Sequence, residues 1–205
     1  MVRLRLCCPA LLVVTTCFGY CQETPSWYAF RPNQEIRVRQ LPSLKARSDD
    51  PSDVLLTALD ILFHDRDICC GKDSALEDSV RSADPSSFKD IAARLQGRHL
   101  LSDGRPIMVT VELVPTTTGD ISYRLIDILA GDRPMLMLWA SHLYILRGVI
   151  FDQTAYSDGS SMNRIHKLLL LDPRYSDSRR GVVFDRDNDD WNAVQGLLLV
   201  DSKTL

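Results

Sequence analysis

The hydrophobic pattern of this chain changes its period near residue 107, and this change limits the folds that the sequence allows. Before that point, apolar residues recur at helical spacing within 54–63, 70–83 and 85–95. After it, short apolar runs predict strands at 107–114, 135–139, 143–151, 165–171, 181–184 and 197–200, with one helix at 121–129. Helices followed by strands are typical of an α+β protein. We therefore predict an N-terminal helical lobe packed on a C-terminal antiparallel β-sheet.

The charge of the chain argues against one broad class of partner. Its 24 Lys and Arg residues face 27 Asp and Glu residues, for a formal net charge of −3. Nucleic-acid binding and anionic membranes both favour a basic surface, which this balance does not provide. The basic residues Arg174, Arg179 and Arg180 alternate with Asp172 and Asp177, a pattern typical of a mixed-charge loop. We expect no nucleic-acid partner.

The amino terminus has the pattern of an export signal. Arg3 and Arg5 precede an apolar stretch at 6–18 that is too short to span a bilayer, and Gly19 and Cys21 flank Tyr20 in a small-x-small cleavage pattern. We predict a signal peptide at 1–21, a secreted or periplasmic location, and no stable membrane insertion after the signal is removed. A lipoprotein signal is the alternative, but it requires a small residue where Tyr20 stands.

Two further regions follow the signal. Residues 22–52 carry four prolines, several charges and little periodicity, so we interpret them as a flexible arm or an edge strand around 35–39. Whether this arm is a propeptide that covers a cleft is left open by the sequence. The third region, 53–205, has the length and apolar content of one domain with a substantial core.

The cysteines point to chemistry rather than to disulfide bonds. Four of the six lie within the signal, which leaves the adjacent pair Cys69 and Cys70. A disulfide between adjacent residues is strained, so two free thiols are the better prediction. Cys70 and Gly71 begin a predicted helix, and the positive end of a helix dipole lowers the pKa of a thiol.

Two further residues complete a candidate catalytic set. His142 begins a predicted strand and Asp172 ends another. A thiolate nucleophile needs a nearby imidazole, and the imidazole needs an oxygen on its second nitrogen to fix its orientation. Cys70, His142 and Asp172 supply these three groups. An Asp that precedes a proline is also a common turn residue, with its carboxylate bound to nearby backbone N–H groups.

The motifs around these residues resemble those of the papain-like cysteine peptidases, in particular the bacterial branch that processes the leaders of bacteriocins, the double-glycine peptidases. The similar segments are the Cys70-Gly71 helix start, ILAGDRPMLMLW at 128–139, SHLYILRGV at 141–149 and LLDP at 170–173. The resemblance covers residues 67–200 and implies a papain-like fold. It also implies that Cys70 is the nucleophile, His142 the general base and acid, and Asp172 the group that orients the imidazole.

The resemblance implies acyl transfer on a peptide or protein substrate, most simply peptide-bond or amide hydrolysis. Cys69 is the alternative nucleophile. The family often has a Gln before the Cys as an oxyanion donor, but here His64 stands six residues before Cys70 as a possible oxyanion or auxiliary group. The alternative is therefore a catalytically inactive papain-like domain that binds peptides or a partner protein.

The sequence offers little support for a bound metal or cofactor. His64, Cys69 and Cys70 are three potential ligands, but adjacent cysteines do not readily occupy two corners of a tetrahedron. The acidic run at 185–190 has no glycine and no closing glutamate where a calcium loop needs them. We expect no metal ion and no cofactor. The sequence does not indicate an oligomeric state.

Overall fold

A computed structural model of the chain describes residues 28–38, 41–64, 68, 75–101, 103–116, 121–175 and 181–205. The described helices are α1 Pro51–Phe63, α2 Ala75–Arg81, α3 Phe88–Leu95 and α4 Ile121–Ala130. The described strands are β1 Tyr28–Arg37, β2 Gly97–Leu100, β3 Pro106–Val114, β4 Met135–Trp139, β5 His142–Tyr156, β6 Ser161–Leu171, β7 Val182–Asp185 and β8 Val194–Thr204. The α+β class predicted from the sequence is confirmed.

The strands form one antiparallel sheet in the order β2-β3-β8-β4-β5-β6-β7. β5 is long enough to take two neighbours on one side. Its first residues pair with β4, and its distal part pairs with β1. β1 comes very close to β5 at Gly148, where a Cβ atom would lie 2.7 Å from the carbonyl oxygen of Ile36. Only glycine fits there without moving the strand.

The segment expected to be a flexible arm or an edge strand pairs with the sheet. β1 pairs with β5 from Tyr28 to Arg37, and the Val38 N–H continues the pairing by donating to Arg147 at 2.7 Å. Further along, Ala46 is buried and its N–H donates to the carbonyl of Pro173. The described part of 22–52 therefore contains a strand that begins at Tyr28, earlier than the edge strand expected around 35–39. Its composition is polar because β1 lies at the surface, where most of its side chains are exposed.

The core lies on both faces of the sheet. Leu136 and Leu138 of β4 face helices α1 to α3, whereas Met135 and Met137, one residue out of step, face α4. The helices segregate accordingly, with three on one face and α4 on the other. No helix in the described part of the chain is both long and apolar enough to cross a membrane.

Side-chain caps fix where the helices begin. Asp50 accepts from the N–H of Ser52 at the start of α1, and Pro51 occupies the first turn. α1 therefore begins before the domain start expected at residue 53. Ser87 caps α3 through the N–H of Asp90. Each such cap contributes about 1 kcal/mol.

Candidate functional site

His142 lies at a strained hairpin. Ala140 and Ser141 form the two-residue turn between β4 and β5, with φ of 49° and 62°. Both angles fall in the left-handed region, as a type I′ hairpin turn requires, but such turns favour Asn and Gly. The pairing of Trp139 with His142 closes the turn, and the Ser141 N–H donates to the side chain of Gln195 at 3.2 Å. The fold thus holds a conformation that these residues disfavour and fixes His142 at the head of β5.

The imidazole of His142 has a defined tautomer. The side chain is exposed, and its Nδ1 lies 2.8 Å from the carbonyl oxygen of Ala140. A carbonyl only accepts, so Nδ1 must carry the hydrogen. In the neutral ring, Nε2 is then a hydrogen-bond acceptor. This is the form that a general base needs, and it also suits a residue that accepts an N–H from a ligand.

Asp172 is committed to a different partner. Its side chain is buried directly after β6, and both carboxylate oxygens contact Arg174. Nε of Arg174 lies 2.9 and 3.1 Å from the two oxygens, Nη2 lies 2.5 Å from Oδ2, and the backbone N–H of Arg174 donates to Oδ1 at 3.0 Å. Asp172 therefore forms a two-pronged ion pair and closes a turn, as expected for a residue before proline.

His142 and Asp172 lie at the same end of adjacent strands, since Ile145 of β5 pairs with Leu171 of β6. Their side-chain hydrogen bonds nevertheless go elsewhere, to Ala140 and to Arg174. This arrangement does not join the imidazole to the carboxylate.

The ion pair also determines the local electrostatics. Hydrogen bonding to Asp172 raises the pKa of the Arg174 guanidinium well above its usual range, so this group is a permanent cation. Burial raises the pKa of the Tyr144 hydroxyl, and the negative charge of Asp172 raises it further. The positive charge of the nearby Arg174 acts in the opposite direction and lowers the same pKa. Asp172 thus holds Arg174 in place close to Tyr144.

A cavity of about 170 Å³ opens beside these groups, between α1, α3 and the β4–β5 hairpin. Its lining includes the buried apolar side chains Val54, Leu55, Ile91 and Leu138, which form the floor. Four polar residues that are more exposed also line the cavity and form part of its rim: Asp49, Ser141, His142 and Arg174. A mostly apolar cavity with a few convergent polar groups is the usual form of a ligand site.

The remaining predicted site residues lie elsewhere or outside the described part of the chain. His64 is exposed at the C-terminal end of α1, whereas the cavity lies near the start of that helix. Nine residues separate Leu55 from His64, a rise of roughly 13 Å. Cys69 and Cys70 lie outside the described residues. Among the residues that are described, no group of three or more His, Cys, Asp or Glu side chains is placed to hold a metal ion.

The sequence interpretation missed the importance of Arg174 and Tyr144. The charge pattern predicts that Arg174 belongs to a mixed-charge loop, yet it is the cation that neutralises Asp172 and lines the cavity. The Asp-Pro-Arg order at 172–174 carried a usable signal, because an Asp two residues before an Arg can bind both its backbone N–H and its side chain. The inward direction of Tyr144 depends on the register of β5.

Comparison with protein-family models, with curated proteins and with solved structures finds no match for this chain.

Proposed function

We propose that this protein is a papain-like domain that binds peptides, and that one apolar side chain of the peptide enters the cavity between α1, α3 and the β4–β5 hairpin. The observation that carries the proposal is the lining of that cavity: a buried aliphatic floor and a rim with His142 and Arg174. An engineered cavity of about 150 Å³ is large enough for benzene. The cavity here therefore has room for one side chain such as that of leucine.

Binding is favoured over hydrolysis because the carboxylate needed for a catalytic triad is already engaged. Asp172 is buried and binds Arg174 through both oxygens. To orient His142 instead, it would have to release a buried ion pair, and breaking such a pair costs about 3–5 kcal/mol. The ground state of the site is therefore better suited to holding a ligand than to activating a thiol.

The test is a titration of ¹⁵N-labelled protein with N-acetyl-L-leucine N-methylamide, a probe with one apolar side chain and no charge. We expect saturable shifts of the backbone amides at 138–143, where the hairpin lines the cavity. N-acetylglycine N-methylamide is the matched control and should produce no saturable shifts, because it has no side chain to place in the cavity. Leu143→Trp, which fills the cavity from a partly exposed wall, should abolish the leucine response.

Equal responses to the leucine and glycine probes would contradict the proposal. So would the absence of any saturable shift with the leucine probe.

Acyl transfer by Cys70 is the second candidate function, and one specific observation favours it. His142 is exposed at the start of β5 with Nε2 as the acceptor atom of the neutral ring. A thiol that approached Nε2 could transfer its proton to that nitrogen, attack a peptide carbonyl and form an acyl-enzyme, which water would then hydrolyse.

The test of the second candidate is the pH dependence of alkylation by iodoacetamide in wild type, Cys70→Ala, Cys69→Ala and His142→Ala. A Cys70 that reacts well below the pH expected of a free thiol, and loses this reactivity in His142→Ala, would establish the thiolate–imidazole pair. Asp172→Asn completes the set. If it leaves the alkylation profile unchanged, the carboxylate has no part in that pair.

A further inference from the structure

We infer that the cavity recognises the carboxyl-terminal residue of a peptide: the apolar side chain enters the cavity, and the free α-carboxylate binds Arg174 at the rim. This inference rests on the proposed peptide-binding function and names the class of ligand for the same site. It is carried by the position of Arg174 beside the apolar floor and by the two-pronged ion pair through which Asp172 holds its guanidinium.

Arg174 is arranged to present positive charge outward. The side chain of Asp172 is only 3% exposed, whereas that of Arg174 is 23% exposed, so the anion lies beneath and the cation faces the rim. A guanidinium has five N–H donors in a planar fork. Asp172 engages Nε and Nη2, which leaves part of the fork for a ligand. A carboxylate suits this fork because it can accept two parallel hydrogen bonds.

His142 lines the cavity at the hairpin, but its ring shares the opposite face of β5 with the ring of Tyr144, and the two centroids are 6.5 Å apart. The cavity therefore offers a terminal residue two complementary features: an apolar floor for its side chain and Arg174 for its carboxylate.

Asp49 restricts where the anion can bind. This exposed residue, which comes before α1, also lines the cavity, and its negative charge repels a carboxylate placed near it. The ligand carboxylate is therefore directed to the part of the rim that Arg174 forms. An internal peptide residue has no charge to place there, so it gains nothing from the cation.

The decisive experiment compares N-acetyl-L-leucine with N-acetyl-L-leucinamide on the wild-type full chain, by the same NMR titration at low salt. The two probes differ in the terminal group, a carboxylate in one and a neutral amide in the other. A charge-assisted hydrogen bond contributes about 1.5–3 kcal/mol, so we expect the acid to bind about tenfold more tightly or better.

Different results would overturn the carboxylate preference and the peptide-binding function. Equal affinities, or tighter binding of the amide, would overturn the carboxylate inference and leave peptide binding intact. If neither probe shifts the cavity residues, the proposed function itself fails.

A double variant then tests whether Arg174 causes the tighter binding of the acid probe. Asp172→Asn with Arg174→Gln removes the cation without leaving a buried charge unpaired, and it should abolish the difference between acid and amide. The matched control is Arg31→Gln, because Arg31 pairs with Gln153, eleven residues along β5 from His142. That separation is roughly 35 Å, so the tenfold preference should persist in the control.

A preference that survives in the double variant would overturn the assignment to Arg174. If the double variant does not fold, as judged by circular dichroism, Arg174→Lys replaces it. Lysine keeps the charge and loses the planar fork, so the preference should fall without vanishing. An undiminished preference in Arg174→Lys would likewise count against the assignment.

Discussion

The unequal burial of Asp172 and Arg174 predicts that the two residues of this ion pair differ in their effect on the stability of the protein. Removing the cation should destabilise the protein more than neutralising the anion, although both changes break the same pair. The reason is burial: Asp172 has a side chain that is 3% exposed, and that of Arg174 is 23% exposed. Arg174→Gln leaves a charged carboxylate buried without its partner, whereas Asp172→Asn leaves a guanidinium that can turn partly into water.

The expected loss of stability differs between the two variants. An uncompensated buried charge costs about 3–5 kcal/mol, which we expect for Arg174→Gln. For Asp172→Asn we expect about 1–2 kcal/mol, because the amide oxygen can still accept the backbone N–H of Arg174. In a chain of this length each kcal/mol lowers Tm by about 2–4 °C, so Arg174→Gln should lower Tm by roughly 6–20 °C.

The assay is chemical denaturation with parallel thermal melts for wild type, both single variants and the double variant. The double variant should be more stable than Arg174→Gln alone, because it removes the unpaired charge. The chain offers a matched control in Asp103 and Arg105, which have the same spacing and the same backbone contact but are exposed. Arg105→Gln should therefore change stability far less than Arg174→Gln.

One result would refute the reasoning. If Asp172→Asn destabilises as much as Arg174→Gln, or more, then the carboxylate has a role that Arg174 does not account for. Orientation of His142 would be the first such role to examine.

Three further predictions concern the sheet. Gly148→Ala should lower the free energy of unfolding by about 1–3 kcal/mol, because the new methyl meets the Ile36 carbonyl at 2.7 Å; an unchanged denaturation midpoint would show that β1 can move at little cost. Ala140→Asn with Ser141→Gly should raise Tm by about 2–4 °C, since Asn-Gly favours the left-handed turn; a lower Tm would contradict the proposed strain. The pKa of Asp152 is lowered below its ordinary 3.8, first by a hydrogen bond from the backbone N–H of Asn33 in β1 and next by one from the imidazole of His166 in β6. The contribution of Asp152 to stability is therefore present above pH 3.8 and is lost as the pH falls through the lowered pKa. In acid denaturation, Asp152→Asn should lose stability less steeply than wild type over that pH range. Identical profiles for the two proteins would count against this role of the Asp152 carboxylate.

Much of the fold was readable from local patterns. The apolar residues of α1, α3 and α4 recur at helical spacing, and those helices form where the pattern predicts them. β1 was readable only in part: its segment contains proline and many charges, and the edge strand expected around 35–39 runs over Tyr28–Arg37. A surface strand that buries few side chains shows no clear alternation, so its pairing with β5 could not be recognised from its own residues.

The candidate site was only partly readable. The sequence singled out His142 and Asp172, and both lie at the same end of adjacent strands. It did not predict their hydrogen-bond partners, because those depend on a turn and on side-chain directions that no local pattern encodes. The roles predicted for Cys69 and Cys70, and the export signal at 1–21, stay predictions because those residues lie outside the described part of the chain.

The sequence by itself determined the secondary structure of the core and the α+β class, because the hydrophobic period is a local property that fixes which face of a helix or strand is buried. Only the tertiary structure decided that Asp172 neutralises Arg174 and that Arg174 and His142 share the rim of one cavity. Contacts of this kind depend on strand register, where a slip of one residue would turn every side chain to the opposite face. The composition of the site is therefore a consequence of how β5 and β6 pair, and the chemistry follows from that pairing.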